Sequence, residues 1–424
     1  MISSLSYVQQ QFFINSLVYP KDTSYNIPLV YKVEGDLNLK FLGKSLNSLI
    51  HQYDILRSSF KRKGKQFSRI THSNEECVYK IDTIKLPYEF EYHDLVELDN
   101  EIHQLFDLAS WPLFRIKLFK LKDNISILSI VFHHIVIDLY SYQIFAKGLS
   151  DNYNHYKRGD SPNEKKLNYK YNDFVEREAK WLKSSEADKM LNFWDRELGD
   201  KKHLLNVPVK TSRPSMQSKL GKRLHFELSC QLSFDIKDSA ERHSVAPFTI
   251  LLAAYSILLH RLSGQDKIVI GVPLSNRRMD LNKHVFGPLI NIVPVVINNC
   301  GTHQKLDLIR QVRLAMLKAH RNQELPFLYM LNTLNIKKSF AYSPVFQTGF
   351  AFEPKIDLSF SEIATHPLII ERKGAQLDLF MTYWEQEDKI HACLEYASDL
   401  FTETGIRAWI EVYIEILEEL VNTI

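Results

Sequence analysis

The sequence predicts an α/β protein with two successive lobes, each of which mixes helices with sheet. Two observations indicate this class. A chain of 424 residues, 45% of them hydrophobic, is longer than one small core needs, so two lobes of ordinary domain size fit it better. Strand-like and helix-like segments alternate in the first half, and the same alternation recurs in the second half.

The elements of the first half follow from the spacing of its apolar residues. A continuous apolar run broken only by Ser129 is typical of a strand covered on both faces. Leucines spaced by three and four residues indicate one face of a helix. The predicted elements are, in order, a strand from Tyr25 to Val33, a helix from Leu42 to Tyr53, a strand from Ile127 to Phe132 and a helix from Leu139 to Tyr156.

A polar, charged stretch from Tyr156 to about Lys189 carries few strand signals and is predicted to connect the lobes. The second half then shows the same alternation of helix-like and strand-like segments. Its apolar runs predict buried elements, and an acidic turn predicts a hairpin. Its predicted elements are helices from Phe248 to Leu262, Leu306 to His320 and Gly405 to Val421, and strands from Lys267 to Leu274, Ile292 to Ile297, Val345 to Phe352, Leu377 to Tyr383 and Ile390 to Tyr396.

Composition and charge argue against several classes of protein. The net charge of +3 without a clustered basic stripe disfavours a nucleic-acid-binding surface, and no apolar run reaches transmembrane length. The four cysteines form no C-x-x-C pair, so neither a zinc site nor a redox pair is indicated. We therefore expect a protein of the reducing cytoplasm with no membrane and no nucleic-acid partner.

The candidate chemistry lies where the strand from Ile127 to Phe132 ends. His133 and His134 follow this strand directly, and Asp138 comes four residues after His134. Histidine titrates near neutral pH, and a strand end holds it stiffly. Since neighbouring residues of an extended segment point to opposite faces, only one of the two histidines can easily face a cavity. A metal site is disfavoured, because such histidines chelate poorly and the H-E-x-x-H spacing is absent.

The motif His133-His134-x-x-x-Asp138 resembles the active-site motif of the condensation domains of non-ribosomal peptide synthetases. Further segments resemble other segments of that family, in the same order and over nearly the whole chain. They are Leu5 to Phe13, Tyr25 to Pro28, Val33 to Leu37, His51 to Phe60, Tyr171 to Phe174, Ile270 to Arg277, Phe286 to Asn291, Gln323 to Phe327, Ser343 to Gln347 and Leu394 to Phe401.

This resemblance implies a particular architecture. It implies two chloramphenicol-acetyltransferase-like lobes in a V-shaped pseudo-dimer with the active site in a central channel, here with lobes over 1–170 and 171–424. Two segments of the second lobe are implied to cross to the first. These are a floor loop around Phe286 to Asn291 and a latch near Gly374.

The resemblance also implies a function. An amine would attack an acyl or peptidyl thioester carried on the phosphopantetheine arm of a partner carrier protein, to form an amide bond. No covalently bound cofactor and no metal are implied, and a monomer is expected. By the resemblance His134 is catalytic, either as the base or by holding the amine and bonding the tetrahedral intermediate. His133 is then structural, and Asp138 pairs with Arg277 of the second lobe as support instead of forming a catalytic dyad.

Three further residues are predicted to lie near the substrates. Gln347 is implied to face the channel, with equal weight on a buried amide bonded to the backbone. Ser141 contacts a substrate arm or caps the helix. Leu139 stands where the family has glycine, so its side chain would crowd the tunnel of one carrier-bound arm. The acceptor is then a small free amine, or the enzyme is slow or inactive.

Several alternatives stay open at this point. One is an acyl-CoA-dependent N- or O-acyltransferase, and another is a catalytically weak scaffold that docks carrier proteins. Cyclisation domains replace the histidines with aspartate, and epimerisation domains carry a glutamate that Phe286 to Asn291 lacks. Without an adenylation or carrier module, a free-standing or chain-terminal enzyme is expected that recruits its carrier in trans, although an excised piece would look the same. A basic patch for the carrier is expected, but lysine and arginine are spread too evenly to place it.

Overall fold

The computed structural model describes residues 1–64, 66–86, 96–121, 124–162, 167–199, 203–277, 280–302 and 304–423. The chain forms two compact units, each built from several stretches of sequence. Unit 1 consists of Met1–Lys183, Ser275–Leu289 and Ile356–Glu371, and unit 2 consists of Ser184–Leu274, Ile290–Lys355 and Arg372–Ile424.

The helices and strands follow in chain order. The first are β1 (Ile2–Ser3), α1 (Tyr7–Val18), β2 (Asn26–Glu34), α2 (Leu39–Gln52), β3 (Ser58–Lys63), β4 (Gln66–Thr71), β5 (Asp82–Lys85), α3 (Val96–His103), β6 (Phe114–Lys120), β7 (Ile125–His133), α4 (Leu139–Lys157), α5 (Tyr171–Trp181) and α6 (Ser185–Leu198). They continue with β8 (Gly221–Glu227), α7 (Cys230–Arg242), α8 (Pro247–Ser263), β9 (Ile268–Leu274), β10 (Asn291–Ile297), α9 (Lys305–Arg321), α10 (Phe327–Thr333), β11 (Thr348–Phe352), β12 (Ala364–Leu368), β13 (Leu379–Gln386), β14 (Lys389–Ala397) and α11 (Glu403–Thr423).

Unit 1 is built on a sheet with strand order β12-β2-β7-β6-β5. Strand β7 lies in the middle, antiparallel to β2 and to β6. Every residue of β7 after Ile125 is buried, as the apolar run in the sequence predicts for a strand covered on both faces. Helix α4 packs against α2. A second, small sheet has the order β1-β4-β3.

Unit 2 is built on a sheet with strand order β10-β9-β11-β13-β14-β8. Strand β11 runs parallel to β9 and β13, and the other pairs are antiparallel. Helix α8 is buried from Thr249 to Leu259, and α7 and α11 pack against it. Its bounds follow from the sequence, since Pro247 occupies the first turn and Gly264 ends the helix with a left-handed φ of 69°.

Each helix and strand predicted from the sequence is present, with bounds shifted by a few residues at most. The predicted connection from Tyr156 to Lys189 contains the boundary between the units, which falls between Lys183 and Ser184. Helix α5 and the start of α6 lie within it, and its residues 163–166 lie outside the described part of the chain. Unit 1 extends to Lys183 instead of ending at residue 170. The reason is that Tyr171, at the start of α5, is 1% exposed and bonds the backbone of Pro288 within the same unit.

The latch segment differs from the expectation. Residues Ile356–Glu371 belong to unit 1, where β12 pairs antiparallel with β2. Gly374 instead belongs to unit 2, where it bridges Leu220. The sequence of β12 gives little strand signal, since Pro367 interrupts it and its residues are largely exposed. Proline is tolerated there because β12 lies at the edge of the sheet.

Among the described residues, no single helix is long and apolar enough to cross a membrane. Helices α7 and α8 meet that test only when they are taken together, and they are bent by 110° against each other.

Candidate active site

Strand β7 ends in a loop whose backbone is held from two sides. The N–H of His133 donates to Leu113 O at 3.0 Å, and the N–H of His134 donates to Tyr25 O at 2.9 Å. A turn follows, in which Val136 N–H donates to His133 O at 3.1 Å. Because neighbouring strands fix the first two residues of the loop, both histidine side chains start from defined positions.

His133 points into the interior of unit 1 and is 7% exposed. Its Nδ1 accepts a hydrogen bond from Ile135 N–H at 3.1 Å, so the proton of the neutral ring lies on Nε2. Burial, followed by the nearby His134 and Arg115, lowers the pKa of His133 to about 3. The ring is therefore neutral over the physiological range, and its position is that of a residue that supports the loop.

His134 is placed differently. It is partly exposed, and its Nδ1 lies 2.7 Å from Ile137 O. A carbonyl oxygen only accepts, so Nδ1 carries the proton and the lone pair of the neutral ring lies on Nε2. Phe12 stacks on the ring, with 4.7 Å between ring centroids and 27° between ring planes. The hydrogen bond, the stacking contact with Phe12 and an edge contact with the Tyr25 ring, at 6.4 Å between centroids, orient this imidazole.

Helix α1 supplies contacts that were not predicted from the sequence. The helix begins with a capping box formed by Ser6 and Gln9. Gln9 is fully buried and also donates from Nε2 to Ile135 O at 3.1 Å. The same helix thus holds the loop backbone through Gln9 and the ring of His134 through Phe12. Only the resemblance of this segment to the opening of the family pointed to α1, because neither residue type signals such a contact.

Asp138 ends the loop and is 1% exposed. Arg277 donates from Nη1 to Oδ2 at 2.7 Å and from Nη2 to Oδ1 at 3.0 Å. The backbone N–H groups of Ser141 and Leu289 donate to the same carboxylate at 2.8 and 2.9 Å. Burial by itself raises the pKa of the Asp138 carboxyl, but the Arg277 charge and these hydrogen bonds outweigh it, so that the pKa is lowered. Asp138 is therefore the ionised N-cap of α4.

Arg277 lies in unit 1 with its partner and is 6% exposed. Apart from the carboxylate, it donates to Gly287 O at 3.0 Å, and its guanidinium lies 4.4 Å from the centroid of the Tyr140 ring. The predicted pairing with Asp138 is present. Arg277 makes this pair from Ser275–Leu289, a later stretch of the sequence that folds as part of unit 1.

Ser141 is fully buried. Its hydroxyl donates to Gly287 O at 2.9 Å and accepts from Gly287 N–H at 3.0 Å and from Arg277 Nη2 at 2.9 Å. The hydroxyl thus makes three hydrogen bonds to Gly287 and Arg277 and has no exposure. Gly287 is required here, since its φ is 136° and an added Cβ would lie 2.2 Å from the ring of Tyr171.

Gln347 precedes β11 in unit 2 and is 1% exposed. Its Nε2 donates to His203 O at 2.9 Å and to Ser343 O at 2.8 Å, and its Oε1 accepts from Leu205 N–H at 2.7 Å. All three partners are backbone groups. Of the two alternatives left open by the sequence, the structure shows the buried amide bonded to the backbone.

Leu139 is the first residue of α4 and follows Asp138 directly. It is partly exposed, and its neighbour Tyr140 is 37% exposed. A large side chain thus stands beside the histidine loop at the position where the resemblance implies glycine.

No metal centre accompanies these residues in the described ranges. There, no group of three or more histidine, cysteine, aspartate or glutamate side chains could hold a metal ion. The cysteines Cys77, Cys300 and Cys393 are buried and Cys230 is exposed, all as free thiols.

The chain belongs to the condensation-domain family, because the family model described as "Condensation domain" matches residues 2–423. Malpinin synthetase of Mortierella alpina is 29% identical over 405 residues, which are 95% of this chain and 5% of that protein. The chain thus spans about a twentieth of the length of this curated relative.

Two solved structures are similar over the whole chain. The four-domain nonribosomal peptide synthetase holo-AB3403, bound to AMP and glycine, has a TM-score of 0.89 at 20% identity, and the match covers 100% of this chain and 33% of that one. A mutant of the starter condensation domain of rhizomide synthetase RzmA, in complex with C8-CoA, has a TM-score of 0.84 at 18% identity and covers 100% and 95%. The expected family and the α/β fold class of the chloramphenicol-acetyltransferase-like type are confirmed.

Proposed function

We propose that the chain is an acyltransferase that forms an amide bond, with an amine attacking a thioester on the phosphopantetheine arm of a carrier protein. The arm belongs to the partner and is therefore substrate. The observation that supports this best is the orientation of His134. Its Nδ1–H is fixed on Ile137 O at 2.7 Å, which places the basic lone pair on Nε2 of a partly exposed ring.

The reaction is a group transfer without redox change. The amine nitrogen attacks the thioester carbonyl and the C–N bond forms. The tetrahedral intermediate then collapses with cleavage of the C–S bond. His134 Nε2 accepts the proton from the nitrogen, and this proton passes to the leaving thiolate, so the products are an amide and a thiol. A general base contributes about 10²–10⁴-fold, whereas well-oriented reactants reach effective molarities of about 10⁵ M or more, so positioning carries the larger share.

The other residues of the site act through His134. Phe12 and Gln9 hold the ring and the loop from α1. Asp138 and Arg277 tie the end of the loop to Ser275–Leu289. These are positioning residues, because Phe12 acts by ring stacking and the polar atoms of the other three are engaged with one another and with the backbone.

Leu139 bears on which amine accepts the acyl group. A partly exposed leucine at the start of α4 narrows the approach to the loop compared with glycine, so a small free amine fits better than an amine on a second carrier-bound arm. The native acceptor in this proposal is therefore a small soluble amine.

A second candidate is an acyltransferase that uses acyl-CoA as donor. The starter condensation domain of rhizomide synthetase, which is similar in fold, was solved in complex with C8-CoA. Acyl-CoA and an acyl carrier protein present the same thioester on the same phosphopantetheine arm. The two functions therefore differ in donor and not in the chemistry at His134.

Intact-mass spectrometry of an acyl-loaded carrier protein, mixed with a panel of amines, tests the proposal. We expect wild type to unload the carrier and release the amide, and His134→Ala to lower the rate by about 10²-fold or more. His51→Ala, at an exposed histidine on α2, is the matched control and is expected to retain the rate. Equal rates for His134→Ala and wild type would contradict the role of His134. Faster transfer from acyl-CoA than from the carrier would select the second candidate.

A further inference from the structure

Helix α5 contacts the N-terminal end of α1 at two points. Glu178 Oε2 accepts a hydrogen bond from Tyr7 N–H at 2.9 Å, and the hydroxyls of Tyr171 and Ser6 lie 2.8 Å apart. Tyr171 and Glu178 are separated by about two helical turns, so both side chains leave α5 on the same face. This face of α5 holds the start of the helix that in turn holds the histidine loop.

The contact between Tyr171 and Ser6 does not depend on pH in the neutral range. Tyr171 donates its hydroxyl proton to Pro288 O at 2.9 Å, so its oxygen accepts from the Ser6 hydroxyl. Burial raises the pKa of the Tyr171 hydroxyl above its ordinary value, and the group therefore stays protonated. Of the two contacts, only that of Glu178 involves a group that changes its charge near neutral pH.

Glu178 supplies a negative charge that the first turn of α1 lacks. Tyr7 is the first residue of α1, and the first turn contains no aspartate or glutamate of its own. The first N–H groups of a helix have no partner within the helix and carry its positive partial charge. An ionised carboxylate therefore binds Tyr7 N–H more strongly than a neutral carboxyl group does.

The Glu178 carboxyl titrates in the neutral range. Its side chain is partly buried, and burial raises its pKa to about 7, although the Tyr7 hydrogen bond and the Arg177 charge oppose the rise. The Arg177 guanidinium donates to Asn282 Oδ1 at 2.7 Å and lies 5.9 Å from the centroid of the Phe174 ring. Arg177 thus contacts other groups, and its charge offsets the effect of burial only in part.

The charged and titratable side chains around Glu178 come from α5 and β4. They are Arg177 and Tyr171 on α5, and Arg69 on β4, whose guanidinium lies 5.2 Å from the centroid of the Tyr171 ring. From α1, the group that faces the carboxylate is Tyr7 N–H. Arginine keeps its charge in proteins, and Tyr171 stays protonated. Among these side chains, Glu178 is therefore the one that changes its charge near pH 7.

Helix α1 connects Glu178 to His134. Gln9 donates to Ile135 O at 3.1 Å, and Phe12 stacks on the His134 ring with 4.7 Å between the ring centroids. Both residues lie in the first two turns of α1, close behind Tyr7. Because helix ends open more easily than helix centres, a weaker contact at Tyr7 loosens both contacts with the histidine loop.

We propose that Glu178 is a positioning residue for the reaction, whose ionised carboxylate holds the start of α1 and thereby orients the His134 ring. When the carboxylate is protonated, the first turn of α1 loosens and fewer molecules present the imidazole in its reactive orientation. The rate then depends on the ionisation of Glu178 in addition to that of His134. This inference rests on the proposed function for the reaction that is measured, and the effect on the ring itself is independent of it.

The test compares Glu178→Gln with wild type over a range of pH. Glutamine keeps the shape of the side chain and one acceptor oxygen but stays neutral, so it reproduces the protonated form of Glu178. The matched control is Glu176→Gln, at an exposed glutamate of α5 that accepts from Asn172. Circular dichroism melting first establishes that both variants are folded at each pH. The kcat is then measured with an acyl-loaded carrier protein and a saturating amine.

We expect the kcat ratio of wild type to Glu178→Gln to be about one at pH 5.5 and about two- to fivefold at pH 8.5. The midpoint of the rise should lie at the pKa of Glu178, about 7. The ionisations of His134 and of the amine occur in both proteins and cancel in the ratio. The KM values should not change, and the ratio for Glu176→Gln should be one throughout. A ratio that does not vary with pH would overturn the proposal.

A third variant tests whether the effect passes through α1. Phe12→Leu removes the ring that stacks on His134, so Glu178→Gln should change the kcat less in this background than in wild type. An undiminished effect of Glu178→Gln would overturn the role of α1.

Nuclear magnetic resonance of the His134 ring tests the positioning without turnover. The Hε1 resonance, assigned with His134→Ala, should follow different pH curves in wild type and in Glu178→Gln, with a difference that grows as Glu178 ionises. Identical curves would overturn the proposal even in an active enzyme. If the curves differ in this way but wild type transfers its acyl group to no amine, the positioning by Glu178 is supported and the proposed reaction is overturned.

Discussion

The contact between Asp138 and Arg277 gives the sharpest prediction about the site. Asp138→Asn removes the charge and one acceptor oxygen while it keeps the shape of the side chain. The carboxylate accepts from Arg277 twice and from the backbone N–H groups of Ser141 and Leu289. In Asp138→Asn, the two N–H groups of the amide face some of the donors that the carboxylate accepted from. The Arg277 guanidinium is then buried without a counter-charge.

The expected loss follows from the burial of both partners. Their side chains are each 2% exposed, and breaking such a pair from one side costs about 3–5 kcal/mol. We therefore expect Asp138→Asn to lower the free energy of unfolding by that amount, measured by urea denaturation at neutral pH. Asp138→Asn with Arg277→Met removes both charges and should lose less than Asp138→Asn alone, because no unpaired charge is left buried.

The same pair predicts a dependence on pH. The pKa of Asp138 is lowered in the folded state, so its stabilising contribution is complete above the unfolded pKa of about 3.9 and is lost as the pH falls through the folded pKa. The stability difference between wild type and Asp138→Asn should therefore shrink in acid. The reasoning would be refuted if Asp138→Asn were as stable as wild type at neutral pH. It would also be refuted if the loss of stability in the double variant equalled the sum of the losses of Asp138→Asn and Arg277→Met, each measured alone.

Three further predictions concern the residues around the loop. His133 has a folded pKa of about 3 against about 6.5 unfolded, so the unfolded state binds the extra proton and stability should fall by about 5 kcal/mol from pH 6.5 to 3. His133→Asn should lack this component in urea titrations, and an unchanged pH slope would contradict the assignment. Leu139→Gly should raise the rate of transfer to a carrier-bound amine relative to the rate with a free amine. An unchanged ratio of these two rates would contradict the crowding argument. Gly287→Ala should cost about 2–6 kcal/mol through backbone strain and overpacking against Tyr171, whereas Gly43→Ala on α2, where a Cβ meets nothing within 4 Å, should melt no earlier than wild type.

Much of the fold could be predicted because its helices and strands follow from the local spacing of apolar residues. The apolar run of β7 and the apolar helix α8 both follow from periodicity and end signals. The different burial of His133 and His134 follows from the alternation of side chains along an extended chain, since one ring is buried and the other is partly exposed.

The contacts of the site depended on residues far apart in sequence. Ser141 is as compatible with a substrate contact as with a structural one until Gly287 is seen to bond its hydroxyl from both sides. The sequence around Gln347 fits a channel-facing amide and a buried amide equally well. The structure shows the buried one, with three backbone groups bonded to its amide. Gln9 and Phe12 carried no signal, because glutamine and phenylalanine occur on most helices.

The sequence by itself determined the family, the α/β class, the order of helices and strands and the place of the histidine motif, because periodicity and motif spacing are local properties of the chain. The tertiary structure decided which segments share a unit, so that Arg277 meets Asp138 within unit 1. It also decided that the Glu178 carboxylate meets the first turn of α1. Burial and pairing between distant residues exist only after the chain has folded, and these two properties convert a motif into a site.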